Sequence, residues 1–123
     1  VNGDQLKRVL GYIEIGKGEG AQLRCGGAQL TAGDQAHGFF VQPTVFTGVT
    51  REMRIAREEI FGPVLSVIEV GSLDEALSVA NEVAYGLSSS IYTRDINSAL
   101  QAMHELEAGI VYINAPTIGA EIH

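Results

Sequence analysis

Between residues 63 and 114, strand-like apolar runs alternate with helix-like amphipathic patterns. In order these are PVLSVIEV (63–70), a helix opened by the capping box SLDE (72–75), SSSIYT (88–93), a helix from Asp95 to Gly109, and IVYIN (110–114). Short helical crossovers connect parallel strands, and such connections are right-handed. The alternation therefore predicts an α/β fold with a largely parallel sheet built of βαβαβ units.

The residues before this alternation predict a helix, a short strand and an extended segment. Asp4 can cap a helix whose apolar side chains recur at helical spacing, and the glycines of GKGEG (16–20) favour its end. AQLRC (21–25) is a strand candidate, and FFVQPTVF (39–46) is extended. Pro43 predicts that this extended segment lies at a sheet edge or outside a regular ladder.

Two later helices are expected to present apolar faces. In the helix after SLDE, Leu77 is expected to face inward. In the helix after Asp95, four large apolar side chains are expected to lie on one face: Ile96, Leu100, Met103 and Leu106.

Charge and composition argue against several classes of partner. Lys and Arg number 8 against 15 Asp and Glu, and the resulting net charge of -7 leaves no basic face for nucleic-acid phosphates or an anionic membrane. No run approaches the ~20 apolar residues of a membrane span. A single Cys permits no internal disulfide. We therefore expect a cytoplasmic protein with no nucleic-acid or membrane partner.

Three features with catalytic associations are better explained without catalysis. GYIEIGKG (11–18) nearly matches a phosphate-binding P-loop, but Gly18 replaces the required hydroxyl residue and the segment continues a helix. Cys25 is expected to be a semi-buried structural residue, because its neighbour Arg24 points to the opposite face of the strand. The three histidines are His37, His104 and His123, and they lack metal-ligand spacing, so no metal site is predicted. His104 is expected to be exposed on its helix, and His123 is noted only because it lies beside a candidate loop.

REEIFGPVLSV (57–67) allows two interpretations. Glu58 and Glu59 could be a solvated pair beside Arg54 and Arg57, or one of them could accept hydrogen bonds from ligand hydroxyls. In the second case Phe61 would supply an apolar wall for a flat ring. The physical arguments leave both interpretations open.

The loop NAPTIGAEIH (114–123) is a second candidate site. Ligands of parallel α/β sheets bind beyond the carboxyl ends of the strands, and this loop directly follows the last predicted strand. Its position therefore favours a role in ligand binding.

Several segments together resemble the aldehyde dehydrogenase superfamily. They are LGYIEIGKGEGAQLRCGG, GFFVQPTVFTGV, MRIAREEIFGPVLSVIEV, DEALSVANEVAYGLSSSIYTRD and AGIVYINAPTIGA, in the same order and spacing as in that family. The resemblance covers essentially the whole chain. It implies NAD(P)-dependent oxidation of an aldehyde to a carboxylic acid, through attack of a Cys thiolate, hydride transfer to the nicotinamide and hydrolysis by a Glu-activated water.

The resemblance also implies roles for individual residues. Glu59 would hydrogen-bond the hydroxyls of the nicotinamide ribose, and Phe61 would pack near the nicotinamide end of NAD or NADP. Pro116, Thr117 and Ile118 would line the aldehyde-binding tunnel. The segment APTIGAEIH resembles the corresponding segment of family members that oxidise small semialdehydes.

The same resemblance implies that the chain holds no catalytic residue. Residues 1–123 would form a single partial catalytic domain, and the nucleophile and the Rossmann-like cofactor domain would lie elsewhere. We expect the full protein to be the enzyme, to bind its aldehyde and nicotinamide cofactor, and to assemble as a homo-oligomer, while this piece alone is inactive. A non-catalytic scaffolding or assembly fragment is the alternative. A receiver-type signalling domain fits poorly. Such a domain needs a Lys late in the chain, and the only lysines here, Lys7 and Lys17, lie early.

Overall fold

The computed structural model describes residues 2–118. The chain divides into two units, Val1–Glu69 and Val70–His123. The first unit contains α1 (Gly3–Gly18), β1 (Gln22–Cys25), a 3₁₀ helix (Gly33–His37), β2 (Thr44–Thr47), α2 (Arg54–Arg57) and β3 (Val64–Ser66). The second contains α3 (Leu73–Asn81), β4 (Ser88–Ile91), α4 (Ile96–Glu105) and β5 (Ile110–Ile113). The predicted α/β class is confirmed.

The sheet of the first unit has the order β1-β2-β3. β1 pairs antiparallel with β2, and β2 pairs parallel with β3. β2 is therefore the central strand, and Pro43 lies just before it, outside the ladder. The expectation that this segment lies at a sheet edge or outside a regular ladder is therefore wrong for Val45 and Phe46, which pair on both sides, and holds for Pro43 itself.

The core of the first unit packs α1 and α2 against this sheet. Phe46 of β2 is fully buried, and Val9 and Ile13 of α1 and Ile55 of α2 contact the same cluster. Ile60, which follows α2, is also buried in it. This core fixes the position of the segment between α2 and β3.

Helix α1 begins two residues earlier than the sequence indicated. The Oδ1 atom of Asn2 accepts a hydrogen bond from the Gln5 backbone N–H at 2.9 Å, so Asn2 is the N-cap and Asp4 lies inside the first turn. Asn and Asp are both good N-cap residues. The expectation that Asp4 caps the helix is wrong, because Asn2, two residues earlier, makes the capping hydrogen bond. The acidic Asp4 still lies where the helix dipole favours a negative charge.

The second unit is a single parallel β-α-β crossover preceded by a helix. β4 and β5 pair parallel over four residues, with α4 as the connection. The Ser72 hydroxyl caps α3, while the Glu75 carboxylate accepts a hydrogen bond from Gly71 N–H rather than from the cap residue itself. The order of helices and strands predicted for residues 63–114 is confirmed, but β3 pairs with β2 instead of extending the β4-β5 pair.

The apolar face predicted for α4 is exposed in this chain. Ala99 and Ala102 are the buried residues of α4, whereas Ile96, Leu100 and Met103 are exposed. In α3, Leu77 is buried as expected. The two small alanines allow close packing of α4 on its own unit, and the larger side chains remain available to other protein surfaces.

Within residues 2–118, no helix has both the length and the apolar character that a bilayer crossing requires.

Candidate functional site

The segment between α2 and β3 presents two side chains outward and one inward. Ile60 is buried in the core, while Glu59 is exposed and Phe61 is 75% exposed. Phe61 has a φ of 57°, an unusual conformation for a residue with a side chain. A large aromatic ring held in solvent by a left-handed backbone is a feature that core packing does not require, so it points to ligand contact.

Side chains of α1 hold the backbone of this segment. The Nη2 atom of Arg8 donates to the Glu59 carbonyl at 2.8 Å. The Nε2 atom of Gln5 donates to the Phe61 carbonyl at 2.8 Å and lies 3.3 Å from the Ile60 carbonyl. The backbone that carries both outward side chains is therefore anchored to a helix of the core.

Glu58 is fixed by three hydrogen bonds. Its two carboxylate oxygens accept from Nε and Nη2 of Arg54 at 2.8 and 2.9 Å, and the Tyr12 hydroxyl donates to Oε2 at 2.7 Å. The hydrogen bonds from Arg54 first, and from Tyr12 second, lower the pKa of Glu58 to about 2. The same pair raises the pKa of Arg54. The Arg54 guanidinium also lies 5.6 Å from the centre of the Tyr12 ring, a cation–π distance.

This cluster predicts an acid-dependent contribution to stability. A carboxyl whose pKa is about 2 when folded, against an ordinary value of 4.5, favours the folded state when it is ionised. The contribution is complete above pH 4.5 and disappears as the pH falls toward 2. We expect wild type to melt at a higher temperature than Glu58→Gln above pH 4.5, and the difference to shrink below it.

Circular dichroism melts from neutral pH to acid would measure that difference. Glu69→Gln, which removes an exposed carboxylate elsewhere in the first unit, is the matched control. A Glu58→Gln deficit that stayed constant down to pH 2 would contradict the assignment.

The two acids at 58 and 59 therefore differ in their surroundings. Among residues 2–118, the structure shows no hydrogen bond or ion pair to the Glu59 carboxylate, whereas Glu58 has both Arg54 and Tyr12. The solvated-pair interpretation applies in part, because Glu58 pairs with Arg54. The Glu59 carboxylate is free to accept hydrogen bonds from a ligand.

An apolar cavity lies beside Phe61 in the first unit. Its volume is about 230 Å³. The lining residues are Gln5, Leu6, Val9, Phe39, Phe40, Val41, Phe61, Gly62 and Pro63. The Phe61 side chain therefore borders a cavity lined mainly by aromatic and aliphatic residues.

The loop after β5 is shaped by its first residue. Asn114, at φ 54°, accepts a hydrogen bond from Thr93 N–H through Oδ1 and donates to the Thr93 carbonyl through Nδ2, both at 2.9 Å. The Ser90 hydroxyl donates to the Ala115 carbonyl at 2.6 Å. These bonds fix the loop where it leaves β5.

The three loop residues singled out from the sequence are exposed. Pro116 and Thr117 are exposed, and Ile118 is 87% exposed. They lie in the second unit, whereas Glu59 and Phe61 lie in the first. The end of the candidate loop, including His123, lies outside the described residues.

The features assigned no chemistry occupy ordinary structural positions. GYIEIGKG lies within α1, and the Lys17 ammonium pairs with Glu14 at 2.7 Å, which agrees with the helix interpretation. Cys25 is exposed rather than semi-buried, because β1 is an edge strand whose four residues are all exposed. His104 is exposed on α4, as expected. Within residues 2–118, no cluster of three or more His, Cys, Asp or Glu could hold a metal ion.

The anchoring side chains Gln5, Arg8 and Tyr12 were not identified from the sequence. They recur at helical spacing on α1, but polar residues at such positions usually face solvent. Only the packing of α1 beside residues 58–61 gives them a role.

Known proteins match this chain over its whole length. The model of the Aldehyde dehydrogenase family matches residues 1–123. An alpha-ketoglutaric semialdehyde dehydrogenase of Bacillus subtilis is 50% identical over 119 residues, which are 97% of this chain and 24% of that protein. An alpha-ketoglutarate semialdehyde dehydrogenase of Haloferax volcanii is 50% identical over all 123 residues, or 26% of its length. The chain thus spans about a quarter of these relatives.

A solved structure shows the same fold. The 1-pyrroline-5-carboxylate dehydrogenase from Thermus with bound NAD superposes with a TM-score of 0.90 and 48% identity, over 98% of this chain and 22% of that one. At this identity the likeness extends to sequence as well as to fold.

Proposed function

The chain belongs to the aldehyde dehydrogenase family, and from that premise we propose that it holds the nicotinamide end of NAD or NADP and part of the aldehyde site. The reaction is oxidation of an aldehyde to a carboxylic acid. The observation that carries the proposal is the contrast at residues 58 and 59. One carboxylate is fully paired within the protein, and its neighbour is exposed and unpaired on a backbone anchored to α1.

The residues present fit the cofactor. The two oxygens of the Glu59 carboxylate can accept hydrogen bonds from both hydroxyls of a ribose diol. The exposed Phe61 ring offers an apolar wall beside a flat ring. The chemistry that the cofactor supplies when bound is acceptance of the hydride that an aldehyde loses on oxidation. A related enzyme of Thermus was solved with NAD bound, which supports this assignment.

Pro116, Thr117 and Ile118 are proposed to line the aldehyde site. They follow the carboxyl end of β5, where ligands of parallel sheets bind, and Asn114 fixes the loop from which they project. A small semialdehyde is the proposed substrate class, since two relatives at 50% identity are semialdehyde dehydrogenases.

We assign no residue of this chain to the covalent chemistry. Cys25 is exposed on an edge strand, and its Sγ contacts only the Pro43 carbonyl, at 3.9 Å, among the bonds shown for the described residues. That contact involves neither a cation nor a helix N-terminus, the groups that activate a thiol. The activity is therefore proposed for the whole protein in which these residues act.

The proposal also covers the oligomeric state and the cellular location of that protein. A homo-oligomer remains a prediction, and the exposed Ile96, Leu100 and Met103 are surfaces that other protein would cover. A cytoplasmic location also remains a prediction, which the single Cys supports.

A chimera tests the proposed function directly. This chain would replace the 119 matched residues of the Bacillus subtilis enzyme, with the unmodified enzyme and the isolated chain as controls. We expect the chimera to oxidise semialdehydes with NAD⁺ or NADP⁺, and the isolated chain to show no turnover. A folded chimera that binds neither cofactor and turns over no aldehyde would overturn the proposal, as would turnover by the chain alone.

A further inference from the structure

One face of α1 runs alongside residues 58–61 and bonds to each of them in turn. Tyr12, Arg8 and Gln5 lie one helical turn apart along this face. Tyr12 donates to the side chain of Glu58, Arg8 to the carbonyl of Glu59, and Gln5 to the carbonyls of the next two residues. The helix and the segment therefore run in opposite directions with matched spacing.

We propose that Tyr12 and Glu58 are positioning residues for the cofactor, which set the placement of Glu59 and Phe61 without themselves touching the ligand. This inference rests on the proposed function, since it presumes that Glu59 and Phe61 meet a nicotinamide cofactor. It assigns a role to the acid at 58, which the family resemblance left without one.

The Tyr12–Glu58 hydrogen bond links two separate elements. Arg54 lies on α2 and binds Glu58 only four residues away, so that ion pair stays within one local turn. Tyr12 lies on α1, 46 residues from Glu58 in sequence. The phenol is therefore the contact that fixes the start of the segment relative to the helix that also holds its carbonyls.

The bond is suited to setting geometry. A hydroxyl that donates to a carboxylate forms a short, directional bond, and this one is 2.7 Å long. The Tyr12 ring packs against the core cluster, so its hydroxyl has a fixed origin. Both Arg54 and Arg8 lie within 6 Å of the ring centre, which further limits its movement.

Glu59 directly follows the anchored residue. Its own carbonyl is held by Arg8 at 2.8 Å, so the residue is fixed on both sides while its carboxylate remains unpaired within the described residues. A positioned acceptor loses little freedom when it binds a diol. Without the Tyr12–Glu58 hydrogen bond, Glu59 could still bind the diol, but it would lose more conformational freedom on binding and the affinity would fall.

The test is a set of variants in the whole protein that carries this chain. Tyr12→Phe removes only the hydroxyl and keeps the packed ring. We expect the KM and Kd for NAD⁺ or NADP⁺ to rise about three- to tenfold, less than the loss of a direct hydrogen bond to the cofactor would cause, because Tyr12 acts only through the segment that it anchors. The KM for the aldehyde should change little. The melting temperature should fall only slightly, because the ring stays in the core and Arg54 still pairs with Glu58.

A double-mutant cycle separates positioning from general weakening. In a Glu59→Gln background, Tyr12→Phe should have a clearly smaller effect on cofactor Kd, since most of its effect passes through Glu59 and only the part that passes through Phe61 remains. Glu14→Gln, which removes an exposed ion pair on α1 away from the segment, is the matched control and should leave cofactor binding unchanged. Glu58→Gln is a second variant expected to raise the same Kd.

The outcomes distinguish this inference from the function on which it rests. Calorimetry reads cofactor binding even without turnover. Wild type that binds neither NAD⁺ nor NADP⁺ would overturn both. Wild type that binds, with Tyr12→Phe and Glu58→Gln both unchanged in Kd, would overturn the positioning role alone. An undiminished Tyr12→Phe effect in the Glu59→Gln background would do the same.

Discussion

Glu59→Gln in the whole protein is expected to raise the KM for NAD⁺ or NADP⁺ by roughly ten- to a hundredfold and to slow hydride transfer. Hydrogen bonds to a charged acceptor contribute about 1.5–3 kcal/mol, and 1.4 kcal/mol is tenfold in an equilibrium constant. The amide keeps one acceptor oxygen but loses the negative charge, and its NH₂ group can no longer accept a hydrogen bond from the second ribose hydroxyl. A misplaced nicotinamide then lowers kcat as well.

Steady-state kinetics with cofactor and aldehyde varied separately would measure this effect. Glu69→Gln removes the same charge from an exposed position after β3 and should leave both constants near wild type. A Glu59→Gln enzyme with unchanged kcat and cofactor KM would argue that this carboxylate does not meet the cofactor.

Gly62→Ala is expected to destabilise the first unit and to disturb the site together. A Cβ at Gly62 would lie 2.5 Å from Cγ2 and 3.0 Å from Cγ1 of Val9. Val9 is 3% exposed and packed in the core, so it has little room to move. Overpacking of this kind costs about 1–3 kcal/mol. The segment would have to shift away from α1, and Phe61, one residue earlier, would move with it.

The melting temperature and the cofactor Kd are the two readouts for Gly62→Ala. Gly11→Ala, on the helix α1 that also carries Val9, is the control, since an added Cβ at Gly11 meets nothing within 4 Å among the described residues. Replacement of a mid-helix glycine by alanine stabilises by roughly 0.5–1 kcal/mol. If Gly62→Ala retained both wild-type stability and wild-type affinity, the close contact with Val9 would have no functional consequence.

The order of secondary structure could be predicted because it depends on local pattern. The capping box at Ser72 and the run IVYIN each indicate their element within a few residues, and the structure confirms both. The partner of β3 could not be predicted in the same way. Periodicity identifies a strand but not the strand beside it, and β3 pairs with β2, which lies before α2 in the chain.

The candidate site was only partly accessible from the sequence. Family resemblance pointed to Glu59 and Phe61, while physical arguments left Glu58 and Glu59 equivalent. Two adjacent acids have the same intrinsic chemistry, and only their neighbours distinguish them. Arg54, four residues from Glu58, is a local neighbour, whereas Tyr12 on α1 reaches Glu58 only through packing of α1 against the core of the first unit.

The sequence by itself therefore determined the fold class, the family and the order of the elements apart from the 3₁₀ helix and α2, because these follow from local patterns and from motifs read in order. The tertiary structure alone decided which of the two acids is paired and which is free. It also decided that Gln5, Arg8 and Tyr12 hold the segment, and that Cys25 and the large side chains of α4 are exposed. The physical reason is distance. Hydrogen bonds and close contacts join residues about 50 positions apart, and no local pattern encodes which distant side chain will lie within about 3 Å of a given carbonyl or carboxylate.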